Sequence, residues 1–105
     1  MKYLLLIATL MTHLAFASGS EEFSVLNIGA AKSGNYVFLD ITPNQTVSNC
    51  VRKNQIRWEL NNDIDKAMLS LAITAQTTGK KLRIAMTDDD CLGDAPRASV
   101  IYLLD

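Results

Sequence analysis

The sequence predicts a small, mainly β domain with one helix, in the order β-β-β-α-β-β. Three observations carry that reading. Tyr36 to Thr42 (YVFLDIT) is dense in β-forming residues. Gln55 to Leu60 and Leu82 to Met86 alternate apolar and polar residues, as half-buried strands do. Between them, Ile64, Met68, Leu71, Ala72 and Ala75 recur at helical spacing.

Ser18 to Glu22 is polar and reads as a frayed lead. Phe23 to Ala30 (FSVLNIGA) forms the first strand, with Phe23, Val25 and Asn27 sharing a face. Lys32-Ser33-Gly34-Asn35 is a turn cluster, so this strand and Tyr36–Thr42 make a hairpin. Pro43 ends the second strand because proline cannot donate to a ladder. Val47 and Val51 suggest a short strand carrying Cys50, ahead of the third strand with Ile56, Trp58 and Leu60 on one face and Arg57 and Glu59 on the other. The helix spans Asn62 to Thr78. Asn62 caps it, Asp63 and Asp65 favour the positive end of its dipole, and Gly79 takes the left-handed position that ends it. Its apolar face turns Ile64, Met68 and Leu71 inward, and Leu69 and Ile73 widen that face. Thr87 to Pro96 reads as a polar loop holding Asp88-Asp89-Asp90, Cys91 and Gly93, and Arg97 to Leu104 as the last strand.

Five strands with one helix between the third and fourth is the order of an OB-fold, a small Greek-key barrel whose helix plugs one end. The alternative is an open α+β sheet with the helix packed on one face.

The ends and composition restrict the function. A basic start at Lys2, an apolar run from Leu4 to Phe16 and the small-x-small pattern Ala15-Phe16-Ala17 form a secretory signal, with cleavage expected after Ala17. The apolar run falls short of the roughly 20 residues a membrane-spanning helix needs. The expected product, residues 18–105, is a single domain that is secreted or periplasmic. It holds eleven acidic and nine basic residues, a net charge of about −2. Such a balance argues against a nucleic-acid partner and against charge-driven or stable membrane binding. The one histidine, His13, lies in the signal. Serine–histidine and cysteine–histidine catalysis and histidine-ligated zinc are therefore not expected of the product. No cofactor is implied.

Two cysteines in an exported chain, Cys50 and Cys91, read as a disulfide, with free thiols or a shared metal as the alternative. The bridge closes a loop of about 42 residues, for which chain entropy gives about 4 kcal/mol as an upper figure.

Ala75-Gln76-Thr77-Thr78-Gly79-Lys80-Lys81-Leu82-Arg83-Ile84, which closes the helix and enters the fourth strand, resembles the same junction in B subunits of the bacterial subtilase cytotoxin type. The resemblance centres on residues 64–86. It implies an exported, disulfide-bearing OB-fold protein that assembles as a ring pentamer, binds cell-surface glycans and carries a separate catalytic subunit. None of that family's sugar-binding residues is placed on this sequence.

The remaining candidates come from side-chain chemistry. Asp88, Asp89, Asp90 and Asp94 put four carboxylates in seven residues, a set of oxygens that suits calcium but lacks EF-hand spacing. The competing reading is a solvated loop. Adjacent aspartates on such a loop do not supply the facing pair of glycoside hydrolysis. Trp58 offers either a recognition platform or a core residue, and the alternation of its strand favours core. Tyr36 and Tyr102 stand similarly. Arg52, Lys53 and Arg57 form a basic cluster suited to an acidic partner or sialylated glycan, or else a solvated face. Asn44-Gln45-Thr46 is a glycosylation sequon in a eukaryotic host. The expectation is a non-catalytic binding protein for a glycan or protein, possible as a pentamer. The alternatives are a monomeric interaction module or inhibitor, and a small calcium-dependent factor or enzyme.

Overall fold

The computed structural model describes residues 20–105. The expected signal, its cleavage site and His13 lie outside the described residues. The elements are β1 (Ser20–Ala31), β2 (Tyr36–Thr42), β3 (Gln55–Glu59), α1 (Asp63–Thr78), β4 (Leu82–Leu92) and β5 (Ala95–Leu103). The five strands form one sheet that closes into a ring in the order β1-β2-β3-β5-β4. All neighbours are antiparallel except β3 and β5, which run parallel and meet at the single register pair Arg57↔Arg97. The ring closes on its other side through Ser20–Phe23 against Leu82–Ala85, so Ser20–Glu22 of the lead expected to fray are instead the first part of β1. No helix among the described residues is long and apolar enough to cross a membrane.

The core lies inside the ring. Phe23, Val25, Val37, Leu39, Ile41, Ile56, Trp58, Leu82 and Ile84 point into it, and Met68, Ala72 and Ala75 of α1 cover it. Two of those three helix residues are alanines, which lets α1 lie close to β1 and β5. The cap forms as the sequence predicts: Asn62 Oδ1 accepts from the Asp65 amide at 2.9 Å, and the Gly79 amide donates back to the Ala75 carbonyl. Asp65 Oδ2 also accepts from the Asn61 amide at 2.9 Å, so the first turn is held from both sides. Ile64 departs from expectation: it is 70 % exposed. Only the later turns of α1 bury a face, starting at Met68.

A bulge between Val25 and Asn27 re-phases β1. Asn27 therefore faces outward rather than sharing the inner face of Phe23 and Val25, and Ile28 packs on the core in its place. Two residues further on, Gly29 sits opposite Phe38. A Cβ there would lie 2.2 Å from the Phe38 ring, so the ring lies directly over the glycine backbone. The expected strand at Val47–Val51 is absent. Residues 43–54 run irregularly, with Val51 87 % exposed.

The largest correction concerns Thr87 to Pro96. It is not a loop: β4 continues to Leu92, turns at Gly93-Asp94 and returns from Ala95. The register jumps from Met86↔Ala98 to Cys91↔Pro96, so Thr87–Asp90 bulge out opposite Arg97. Period-two alternation is lost across such a bulge, so the sequence pattern resembles a loop.

Candidate functional site

The connection at residues 43–54 is tied to the far end of the β4–β5 hairpin. Cys50 and Cys91 lie at disulfide distance, with Cα atoms 5.8 Å apart. The Asn49 amide donates to the Asp88 carbonyl at 2.8 Å and the Arg52 amide to the Asp94 carbonyl at 2.6 Å. Thr46 and Ser48 are buried and share a hydrogen bond of 3.0 Å. Thr46 is the hydroxyl residue of the sequon, whose Asn44 is exposed.

These ties shape a shallow depression of about 380 Å³ lined by Asn44, Val51, Arg52, Lys53, Asn54 and Asp94. Arg52 and Lys53 of the expected basic cluster line it, and the third member, Arg57, lies beneath the hairpin tip. All three cations are engaged internally. Arg52 Nε donates to both Asp94 oxygens at 3.2 Å, and Lys53 Nζ donates to the Ser48 carbonyl. Arg57, only 8 % exposed, pairs with Asp94 at 3.1 Å, donates to the Leu92 carbonyl at 3.0 Å and lies 4.7 Å over the Tyr36 ring. A Cβ on Gly93 would come within 2.8 Å of the Arg57 guanidinium, so the tip closes tightly over it. The hydrogen bond from Arg52, reinforced by its charge, holds the Asp94 carboxyl below the usual aspartate range and raises Arg52 in turn.

The network continues along the outer face of β1, β2 and β3. Arg57 Nε donates to Gln55 Oε1 at 2.7 Å, Gln55 Nε2 to Asp40 Oδ1 at 3.0 Å, and Asn27 Nδ2 to Asp40 Oδ2 at 3.3 Å. From Asn27 to Arg52, six side chains form one chain of hydrogen bonds and ion pairs across the strands. The register pairs that align Asn27, Asp40 and Gln55 place these groups together.

The acidic run is dispersed. Asp89 accepts from the Asn49 side chain at 3.0 Å, Asp90 pairs with Arg97, and Asp94 serves Arg52 and Arg57. Asp88 acts through its backbone carbonyl. Among the described residues no three acidic, cysteine or histidine side chains gather as a metal cage, and Asp88, Asp89, Asp90 and Asp94, the weak calcium alternative, serve separate partners. Trp58 is corrected as a platform too: it is 2 % exposed and its indole donates to the Asp65 carbonyl at 3.0 Å, tying β3 to the helix. Tyr102, in contrast, is 51 % exposed on β5.

Sequence reasoning missed the part of Asp94, which it grouped with the other acids as a loop. The signal available was Gly93-Asp94, a glycine-first pair suited to a two-residue hairpin turn. Compared with protein-family models, with curated proteins and with solved structures, the chain matches none.

Proposed function

We propose that this chain is an exported, non-catalytic binding module of OB-fold type that takes a hydroxyl-rich ligand, a glycan, at the disulfide-pinned depression. The ring order β1-β2-β3-β5-β4 with the helix between β3 and β4 supports the fold assignment. In OB-folds the face of strands two and three, with the first and last hairpin loops, is where oligosaccharides and oligonucleotides bind. The observation that carries the ligand class is the Arg52–Asp94 pair at the depression's wall. Asp94 is shared with Arg57 and Lys53 stands in the same wall, so the depression keeps a net positive charge; a guanidinium has five donors and a carboxylate about four acceptor sites, so both retain capacity for hydroxyl groups. Asn44 and Asn54 add amide donors and acceptors, and exposed Val51 adds apolar contact.

A glycan array with the oxidised protein tests this reading. Retention of defined glycans by the wild type, lost in Asp94→Ala with the fold intact by circular dichroism, is the expected result. No retention on any glycan sinks it. The native mass by light scattering after size-exclusion chromatography separates assembly states: about five times the monomer supports a pentameric B-subunit-like ring. A protein-interaction reading has its own observation. Val100 and Tyr102 lie two residues apart on β5, 42 % and 51 % exposed, and form an apolar outer stripe fit for a neighbouring subunit or other protein. A clean monomer across concentrations, with no glycan retained, leaves that stripe as the functional surface.

A further inference from the structure

A second depression lies at the other end of the β1–β2 hairpin, away from the disulfide. It encloses about 280 Å³. It is lined mostly by apolar residues, among them Ala30, Val37 and Leu60, together with Tyr36, Lys32 and Asn35. We propose that this is a binding site for a small organic monocarboxylate with a single-ring apolar body.

Three features argue for it. The first is charge. All four arginines of the described chain are paired with carboxylates, whereas no carboxylate among the described residues lies within ion-pair distance of the Lys32 ammonium. An anion reaching this depression meets a cation not already neutralised. The second is the fixed position of Tyr36. The Arg57 guanidinium lies over one face of the Tyr36 ring at 4.7 Å, and Gly34, at φ +97°, packs so close that its absent Cβ would stand 3.0 Å from the ring edge. The strand end that lines the depression is therefore ordered before any ligand arrives, which lowers the ordering cost of binding. The third is the turn. Asn35 adopts a left-handed backbone at φ 56°, its amide donating to the Lys32 carbonyl at 3.3 Å. A non-glycine residue held there is uncommon, and asparagine tolerates it best. The turn places Asn35 in the same lining as Lys32. An apolar body against Ala30, Val37 and Leu60, with its carboxylate toward Lys32 and Asn35, uses every wall of the depression. The size matches a fragment, below the roughly 300–1,000 Å³ of drug-sized pockets.

The test is a titration of the oxidised protein with benzoate, followed by backbone amide NMR shifts. Benzyl alcohol serves as the neutral analogue and acetate as the anion without a ring. Saturable shifts confined to residues 30–37 and 60 are expected with benzoate. Lys32→Met is expected to weaken benzoate binding about fivefold, the worth of one solvent-exposed charge contact. Asn35→Gly keeps the left-handed turn and removes only the amide, so a weakened response there with an unchanged fold also supports the site. The proposal is overturned by any of three results: no saturable shift with benzoate, benzyl alcohol or acetate binding as tightly as benzoate, or Lys32→Met leaving the affinity unchanged. Shifts centred instead on residues 44, 51–54 and 94 also overturn it. This site is independent of the glycan reading, and either can fail alone.

Discussion

Replacing Arg97 with methionine tests how the ring holds its parallel seam. Methionine keeps the apolar stem and removes the guanidinium. Arg97 Nε and Nη2 donate to the two Glu59 oxygens at 3.0 Å each, and Nη1 donates to Asp90. A hydrogen bond to a charged group contributes about 1.5–3 kcal/mol when shielded, an exposed ion pair about 0.2–1 kcal/mol. The Arg97 and Glu59 side chains are 32 % and 28 % exposed, so the fork falls between those limits. About 2 kcal/mol is expected for R97M, which in a domain under 100 residues lowers Tm by about 10 °C. The pH dependence has a definite sign. The Arg97 hydrogen bond holds the Glu59 carboxyl below its usual range. Its contribution is complete above the unfolded glutamate value, about 4.3, and is lost as pH falls through the lower folded value. The difference between wild type and R97M should therefore shrink on acidification below about pH 4. Thermal melts followed by far-ultraviolet circular dichroism at neutral and acid pH read both effects. A double-mutant cycle with Glu59→Gln should show coupling of about 1 kcal/mol. A Tm within about 2 °C of wild type, additive single variants, or a difference that persists at acid pH would each refute the account.

Three further outcomes follow from the same structure. Cys50→Ser with Cys91→Ser releases the loop between them and should cost up to about 4 kcal/mol, read as a lower urea midpoint that reductant reproduces in the wild type. Gly29→Ala should cost about 1–3 kcal/mol by driving a methyl into the Phe38 ring, and adding Phe38→Leu should recover part of the loss in the same denaturation assay. Asn62→Ala removes the helix cap and should cost about 1 kcal/mol, with earlier loss of helical signal on heating.

Much of the fold is legible where local pattern and tertiary demand agree. Tyr36–Thr42 is dense in β-forming residues, and β2 spans those residues. Asn62 and Gly79 mark the helix ends because caps are local chemistry, independent of what the helix packs on. Legibility fails at bulges. One extra residue at Leu26 reverses the face of Asn27, and the irregular stretch at Thr87–Asp90 hides a strand inside an acidic run. Arg57 fails for a different reason. Its strand alternation places it outward correctly, but the hairpin tip folds over that outer face, a contact made across 35 residues of sequence. The basic cluster was visible as composition; the pairing of its two arginines with Asp94 depends on where the hairpin turns. Ile64 shows the limit of a helical period, which defines a stripe but not how far the sheet extends beneath it.

The seam between β3 and β5 has a consequence for how such a sequence can drift. Two arginines face each other there at the only register pair joining those strands. Like charges placed opposite oppose closure. The arrangement holds because each arginine meets a carboxylate: Asp94, which Arg57 shares with Arg52, and Glu59 and Asp90 for Arg97. A lineage that loses Asp94 is left with an unneutralised guanidinium beneath the hairpin tip, and one that loses Glu59 frees a charge across from it. Substitutions at these positions should therefore travel in sets, an arginine changing together with its acid. The two sets should change independently of each other, so that related chains differ by whole ion pairs along this line rather than by single residues.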